Sequence, residues 1–232
     1  MRKRLLLALV LFAAAAHAAP PQRMELVYDL YRNGLKLGEV SDSLVRNDAH
    51  YTLVSTSRAR GALARLWPGT IRLESRGSVT AQGLRPDAFS HARSDAPDKL
   101  ATARLDWGQQ RIAWTYKGET REANGLARGA QDQLSQLYQF MFLPTLPADY
   151  RVQVVSGRDL NDYRYASADG DTLDTPLGAL ATRRYERVVD AAGQKAVTVW
   201  VAPARGNLPV RVRVVEDGVT VEQHLVRASV GG

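Results

Sequence analysis

Four histidines, His17, His50, His91 and His224, are the side chains of this sequence that titrate near neutral pH. A hydroxyl nucleophile would need one of them beside it, with a third group to orient the base. His50 and His224 fall on predicted strands or their edges, and His91 sits in Phe89-Ser90-His91-Ala92-Arg93-Ser94. There is no Gly-x-Ser-x-Gly elbow and no Ser-x-x-Lys with its usual companions. The absence of cysteine excludes a thiol nucleophile and thiolate metal sites. Zinc is disfavoured too, since no His-Glu-x-x-His or close histidine pair occurs.

The acids are equally undirected. Asp169-Gly170-Asp171-Thr172-Leu173-Asp174 gathers oxygen ligands but lacks the spacing of a calcium loop and its terminal bidentate Glu. A glycine-containing turn between Tyr165 and Leu177 accounts for it. Asp95 and Asp98 read as a polar turn. Glycoside cleavage needs two facing carboxylates, and nothing makes Glu39, Glu74, Asp106 or Glu119 converge. The sequence therefore predicts no catalytic residue, no metal site and no cofactor.

Aromatic and apolar residues offer a different chemistry. Trp67, Trp107, Trp114, Trp200 and several tyrosines fall on strands or beside turns, where they pack sheet cores or line a cavity. Trp67 stands in an apolar stretch outside the strands, Gly61 to Gly69, with Leu63 and Leu66. Those three are expected to cover a cavity mouth, and Trp114 and Trp200 to line the ligand site. Arg183, Arg184, Arg211 and Arg213 form the candidate partner-binding face.

The elements that must position these residues follow a leader. Arg2, Lys3 and Arg4 precede an apolar run from Leu5 to Ala16, and Ala16-His17-Ala18 supplies small residues for cleavage. Residues 1–18 thus read as a removable secretory signal, the run being too short for a membrane span. The expectation is a soluble periplasmic protein in which 19–232 form a single β-rich domain. The chain is formally +7, with 31 Lys+Arg against 24 Asp+Glu, and the leader carries three of those charges. Without a long basic run, this charge reads as a solvated surface, and nucleic acid is not an expected partner.

From Met24 onward the pattern is period two with frequent turn signals, the mark of antiparallel sheet. Asp217-Gly218 predicts a two-residue hairpin pairing Val214 with Val221, Arg213 with Glu222 and Arg211 with His224. Asn33-Gly34 predicts another, with Leu30 opposite Leu37 and Val27 opposite Val40. Gly108-Gln109 predicts a third, pairing Leu105 with Ile112 and Ala103 with Trp114. Further strands are expected at 51–58, 70–79, 150–156, 162–167, 179–189 and 196–202. So many short strands imply a strongly curved antiparallel sheet or incomplete β-barrel. One helix is expected over 131–143, where Leu134, Leu137, Tyr138 and Met141 form an apolar stripe. Asp132 would cap its start, and Pro144 and Pro147 would end it.

These landmarks together resemble a family of bacterial exported proteins, the domain of unknown function 3108 family. The matching residues are Tyr28, Gly34 and Gly38, then Gly77 and Gly83-Leu84-Arg85-Pro86 with Phe89. Asp132-Gln133-Leu134-Ser135-Gln136-Leu137-Tyr138 follows, and then Val199-Trp200-Val201-Ala202-Pro203, Leu208-Pro209-Val210-Arg211 and Asp217-Gly218. The resemblance spans nearly the whole chain after the leader. It implies a mostly β periplasmic protein and carries no established activity, so it transfers no catalytic residue. The functional expectation is a non-catalytic envelope protein binding an apolar or amphipathic ligand, a lipid or lipoprotein. The alternatives are an adaptor for protein or envelope glycan, and a hydrolase of envelope material. The sequence does not give the oligomeric state.

Overall fold

The computed structural model describes residues 20–65, 68–190 and 194–231. The leader expected at 1–18, with Leu66 and Trp67 of the expected mouth cluster, lies outside the described residues. Eight strands precede the middle of the chain: β1 (Arg23–Arg32), β2 (Leu35–Asn47), β3 (His50–Ala59), β4 (Thr70–Thr80), β5 (Gly83–Arg93), β6 (Ala101–Asp106), β7 (Arg111–Tyr116) and β8 (Glu119–Asn124). Seven follow: β9 (Gln131–Asp132), β10 (Asp149–Val155), β11 (Leu160–Thr175), β12 (Gly178–Arg187), β13 (Ala196–Ala202), β14 (Leu208–Glu216) and β15 (Val219–Gly231). The helix α1 (Ser135–Tyr138) continues as a 3-10 turn at Gln139–Met141.

All fifteen strands form one sheet, in the order β8-β7-β6-β5-β4-β3-β2-β1-β15-β14-β13-β12-β11-β10-β9. Neighbours pair antiparallel except β9 on β10. The first and last long strands, β1 and β15, therefore meet in the middle of the sheet, and both of its edges belong to the middle of the chain. The sheet is strongly curved and does not close by a strand ladder. Its core sits on the concave face, where Met24, Leu26, Tyr28, Val40, Leu44, Leu53, Phe89, Ile112 and Leu225 are at most 4% exposed.

The turns explain the meander. Asn33-Gly34, Lys117-Gly118 and Asp217-Gly218 all place both residues at positive φ, +49 and +80, +52 and +80, +49 and +74 degrees. That geometry matches strand twist and favours tight hairpins. The Asp217-Gly218 hairpin has the expected register, Val214 opposite Val221, Arg213 opposite Glu222 and Arg211 opposite His224. The β6–β7 hairpin also pairs as expected.

Three expectations are corrected. In β1–β2 a bulge falls between Leu30 and Tyr31, so Leu30 faces Gly38 and Tyr28 faces Val40. The extra residue brings Tyr28 and Val40 together on the buried face, which the unbulged register would have separated. The acidic run Asp169–Asp174 is no turn: β11 continues through it, with a bulge between Asp169 and Thr172. Gly170 is needed there because a Cβ would overlap the Thr182 hydroxyl. Strand β5, unforeseen because Pro86 interrupts it, pairs with β4 where Gly77 faces Pro86.

The helix expected over 131–143 is the third correction. Gln131 and Asp132 are strand residues beside Val154 and Val155, and only four residues are α-helical. The apolar stripe is real, since Leu134, Tyr138 and Met141 are buried. Several polar side chains between them, however, bond to the sheet or its turns rather than face solvent. Residues 126–143 thus form a plug inside the curved sheet.

Candidate functional site

Asp132 anchors the plug at its start. Its Oδ1 accepts the backbone N–H groups of Leu134 (2.9 Å) and Ser135 (2.7 Å), the helix-opening role expected for it. Its other oxygen accepts the Ser75 hydroxyl from β4, and Ser75 shares a hydrogen bond with the Tyr51 phenol of β3 (2.9 Å). Asp132 and Ser75 have no solvent exposure. Burial pushes the Asp132 carboxyl up to about 6, against the opposing hydrogen bonds of Ser135, Ser75 and Leu134.

A second buried carboxyl stands at the other end of α1. The Tyr138 phenol donates to Asp42 Oδ2 on β2, and Tyr28 donates to the Pro209 carbonyl (2.9 Å). Burial raises Asp42 to about 6 as well, opposed by Ser55 and Tyr138, and burial raises both phenols. Glutamines complete the anchoring. Gln139 accepts Leu84 N–H (2.7 Å) and donates to Gln82 O (2.8 Å). Gln131 donates to Leu84 O (2.7 Å), and Tyr165 donates to Gln136 (2.9 Å). Apart from Gln136, which also borders the cavity, these groups are sealed in the core, and their geometry is that of a fastening.

Above the plug the sheet leaves space. A cavity of about 480 Å³ lies between Gln133, Gln136 and Leu137 of the plug and the concave face of β10 to β15, with Leu73 of β4. Its walls combine Leu137, Val197, Val212, Val214 and Tyr163 with Arg187, Lys195 and Gln223. Small-molecule sites run to roughly 300–1,000 Å³, mostly apolar with a few placed polar groups.

The two sheet edges meet beside this cavity through side chains. Trp114 Nε1 donates to Ser156 O (3.1 Å), and Arg121 pairs with Asp159 (3.3 Å). A second cavity of about 430 Å³ lies along this seam, lined by Trp114, Tyr116, Arg121 and Arg158. Asp159 borders both.

The structure scatters the other expected residues. Leu63 is half-buried in a 3-10 turn at Gly61–Arg65. Trp114 stands at the seam. Trp200 is buried on β13 with the Arg211 and Arg213 guanidiniums each 5.6 Å from its ring. Arg184 and Arg211 both pair across from Trp200, so with Arg213 they share a face. Arg183 faces Val201 instead. The face is largely neutralised, Glu186 pairing with Arg184 and Glu222 with Arg211 and Arg213.

Tyr163 is one of the tyrosines expected from sequence to pack the sheet core or line a cavity, whereas Arg187 and Lys195 were not singled out. Only the β11–β12 register and the approach to β13 bring them together, and no motif marks that. Likewise, Asp42 carries no sequence signal separating it from a surface acid.

This arrangement defines a curved-sheet protein with a polar-fastened internal plug. The chain belongs to the family described as "Protein of unknown function (DUF3108)", whose profile matches residues 27–225. No curated protein matches the sequence at a significant level. Among solved structures it is similar to a beta-barrel-like protein of domain of unknown function DUF1849 from Brucella abortus, at TM-score 0.60 and 9% identity. That match covers 93% of this chain and 100% of the other, a likeness of fold alone. No helix among the described residues is long and apolar enough to cross a membrane.

Proposed function

We propose that this protein is exported to the periplasm and there binds an amphipathic molecule, a lipid or the lipid-modified end of a polypeptide, without transforming it. The cavity of about 480 Å³ between the plug and the concave sheet carries this reading. Leu137, Val197, Val212 and Val214 offer an acyl chain apolar contact, and the polar groups interspersed with them, Arg187 and Lys195 included, suit a polar head. The basic start and apolar run of residues 1–18 support export.

The plug fits the same reading. By filling the deeper part of the sheet it sets the depth of the cavity, with Gln133, Gln136 and Leu137 as its floor. The test is native mass spectrometry of the mature chain purified from periplasm without detergent. A discrete adduct in the mass range of a lipid is expected. A clean apo protein that also binds no fluorescent fatty-acid or lysolipid probe while folded would overturn the proposal.

A further inference from the structure

Four charged residues line the cavity, Arg187, Lys195, Asp159 and Glu216, and among the described residues Arg187 is the one without an opposite charge beside it. Arg187, at the end of β12, lies over the Tyr163 ring with its guanidinium carbon 3.8 Å from the centroid. One Nη donates to the Lys195 carbonyl. Its Nε is buried without a hydrogen-bond partner, and the ion pairs found among the described residues, Lys195 with Glu216 and Arg184 with Glu186 nearby, do not include it. An arginine held as a stacked plane with no acid beside it is suited to a carboxylate or phosphate.

The other charges of the lining are paired. Lys195 lines the same cavity, its ammonium 3.1 Å from Glu216. The other lining acid, Asp159, is paired with Arg121. Arg187, Tyr163 and Gln194 also border an outer groove whose other charged residues are Arg128, Arg151, Arg164, Asp162 and Asp190. Asp149 nearby pairs with Arg164 and Arg151. Such an arginine-rich approach raises the local concentration of anions.

We infer that the cavity takes a single-chain amphiphile with an anionic head, carboxylate or phosphate, its chain against Leu137, Val197, Val212 and Val214 and its head on Arg187 and Lys195. This inference rests on the binding reading above and adds the ligand's charge and orientation. Leu73 faces the chain from the opposite wall. The Arg187 guanidinium, stacked on Tyr163 in the cavity lining, supplies the charge that holds the head.

The test compares four amphiphiles of one chain length on the mature full chain by calorimetry. They are a fatty acid, a lysophosphatidylglycerol, a neutral monoacylglycerol and an alkyltrimethylammonium. At least one anionic probe is expected to bind ten- to a hundredfold tighter than the neutral one, the cation most weakly, with the preference shrinking at high salt. The two anionic arms separate carboxylate from phosphate recognition. Arg187→Gln should reduce the anionic preference to within about threefold while leaving monoacylglycerol affinity unchanged. Lys195→Gln should lower it less, and serves as the readout if Arg187→Gln does not fold. Equal binding of neutral and anionic probes would overturn the inference and leave the binding reading intact. Binding of none would overturn both.

Discussion

The phenol of Tyr138 donates to the carboxylate of Asp42, a residue 96 positions earlier on β2. Both groups are buried, so this bond joins the plug to the middle of the sheet where no water can replace it. The Oδ1 of Asp42 has no hydrogen-bond partner. An ionised carboxyl there is under-satisfied, and the Tyr138 hydrogen bond is part of what makes it tolerable.

Tyr138→Phe should therefore destabilise by about 1–3 kcal/mol at pH 7.5. The loss should be smaller at pH 4.5, where Asp42 holds its proton. Urea denaturation at the two pH values checks this. An equal loss at both would mean that the bond does not discriminate between the forms of Asp42.

The second carboxyl makes a sharper case. Asp132 and Asp42 both titrate near 6 in the folded protein, against an ordinary 3.8. The folded state then binds protons more tightly than the unfolded chain between those values. The stability these two groups contribute is greatest below about pH 4 and falls as pH rises through about 6, by at most about 3 kcal/mol for each group. Asp132→Asn keeps the acceptor for Leu134 and Ser135 and gains a donor toward Ser75. It should stabilise the protein at pH 7.5 and flatten the dependence between pH 4 and 6, as read from thermal midpoints across that range.

Glu222 works in the opposite direction. Burial alone would raise its carboxyl, but the hydrogen bond from Arg213 and the charges of Arg213, Arg211 and His224 outweigh this and hold it below its ordinary 4.5. Its contribution is present above that value and lost as pH falls below it. Glu222→Gln should cost about 1 kcal/mol at pH 7 and nearly nothing at pH 3. Chemical denaturation of the variant at both pH values measures it.

These cases mark what the sequence could disclose. Local rules placed Asp217-Gly218 and its register, because turn chemistry and strand alternation act within a few residues. Asp132 as a helix-opening acceptor was also local. The bulge beyond Leu30 was not, since it is set by the burial of Tyr28 against strands far away in sequence. Pro86 concealed β5, because its acceptability depends on Gly77 across the ladder. The cavity depends on the two sheet edges meeting, a relation between residues about 40 positions apart with no periodic signature. Arg187 accordingly looked like any surface arginine, and Arg211 and Arg213, conspicuous beside Trp200, proved largely neutralised by Glu222.

That meeting of edges yields the last prediction. Where β7 faces the β10–β11 turn no strand ladder forms, and Gly157 packs so closely on Ala101 that an added Cβ would lie 2.6 Å from the Ala101 methyl. Gly157→Ala should therefore prise the seam apart, costing about 1–3 kcal/mol. Ala101→Gly should recover part of that loss, giving a coupling energy in a double-mutant cycle. Trp114→Phe, which removes the donor to Ser156, should cost about 1 kcal/mol and speed amide exchange in 119–124 and 156–161 more than in the β14–β15 hairpin. If Gly157→Ala were neutral and exchange at the seam unchanged, the edges would not be held by these contacts. The sheet would then be open beside its cavity.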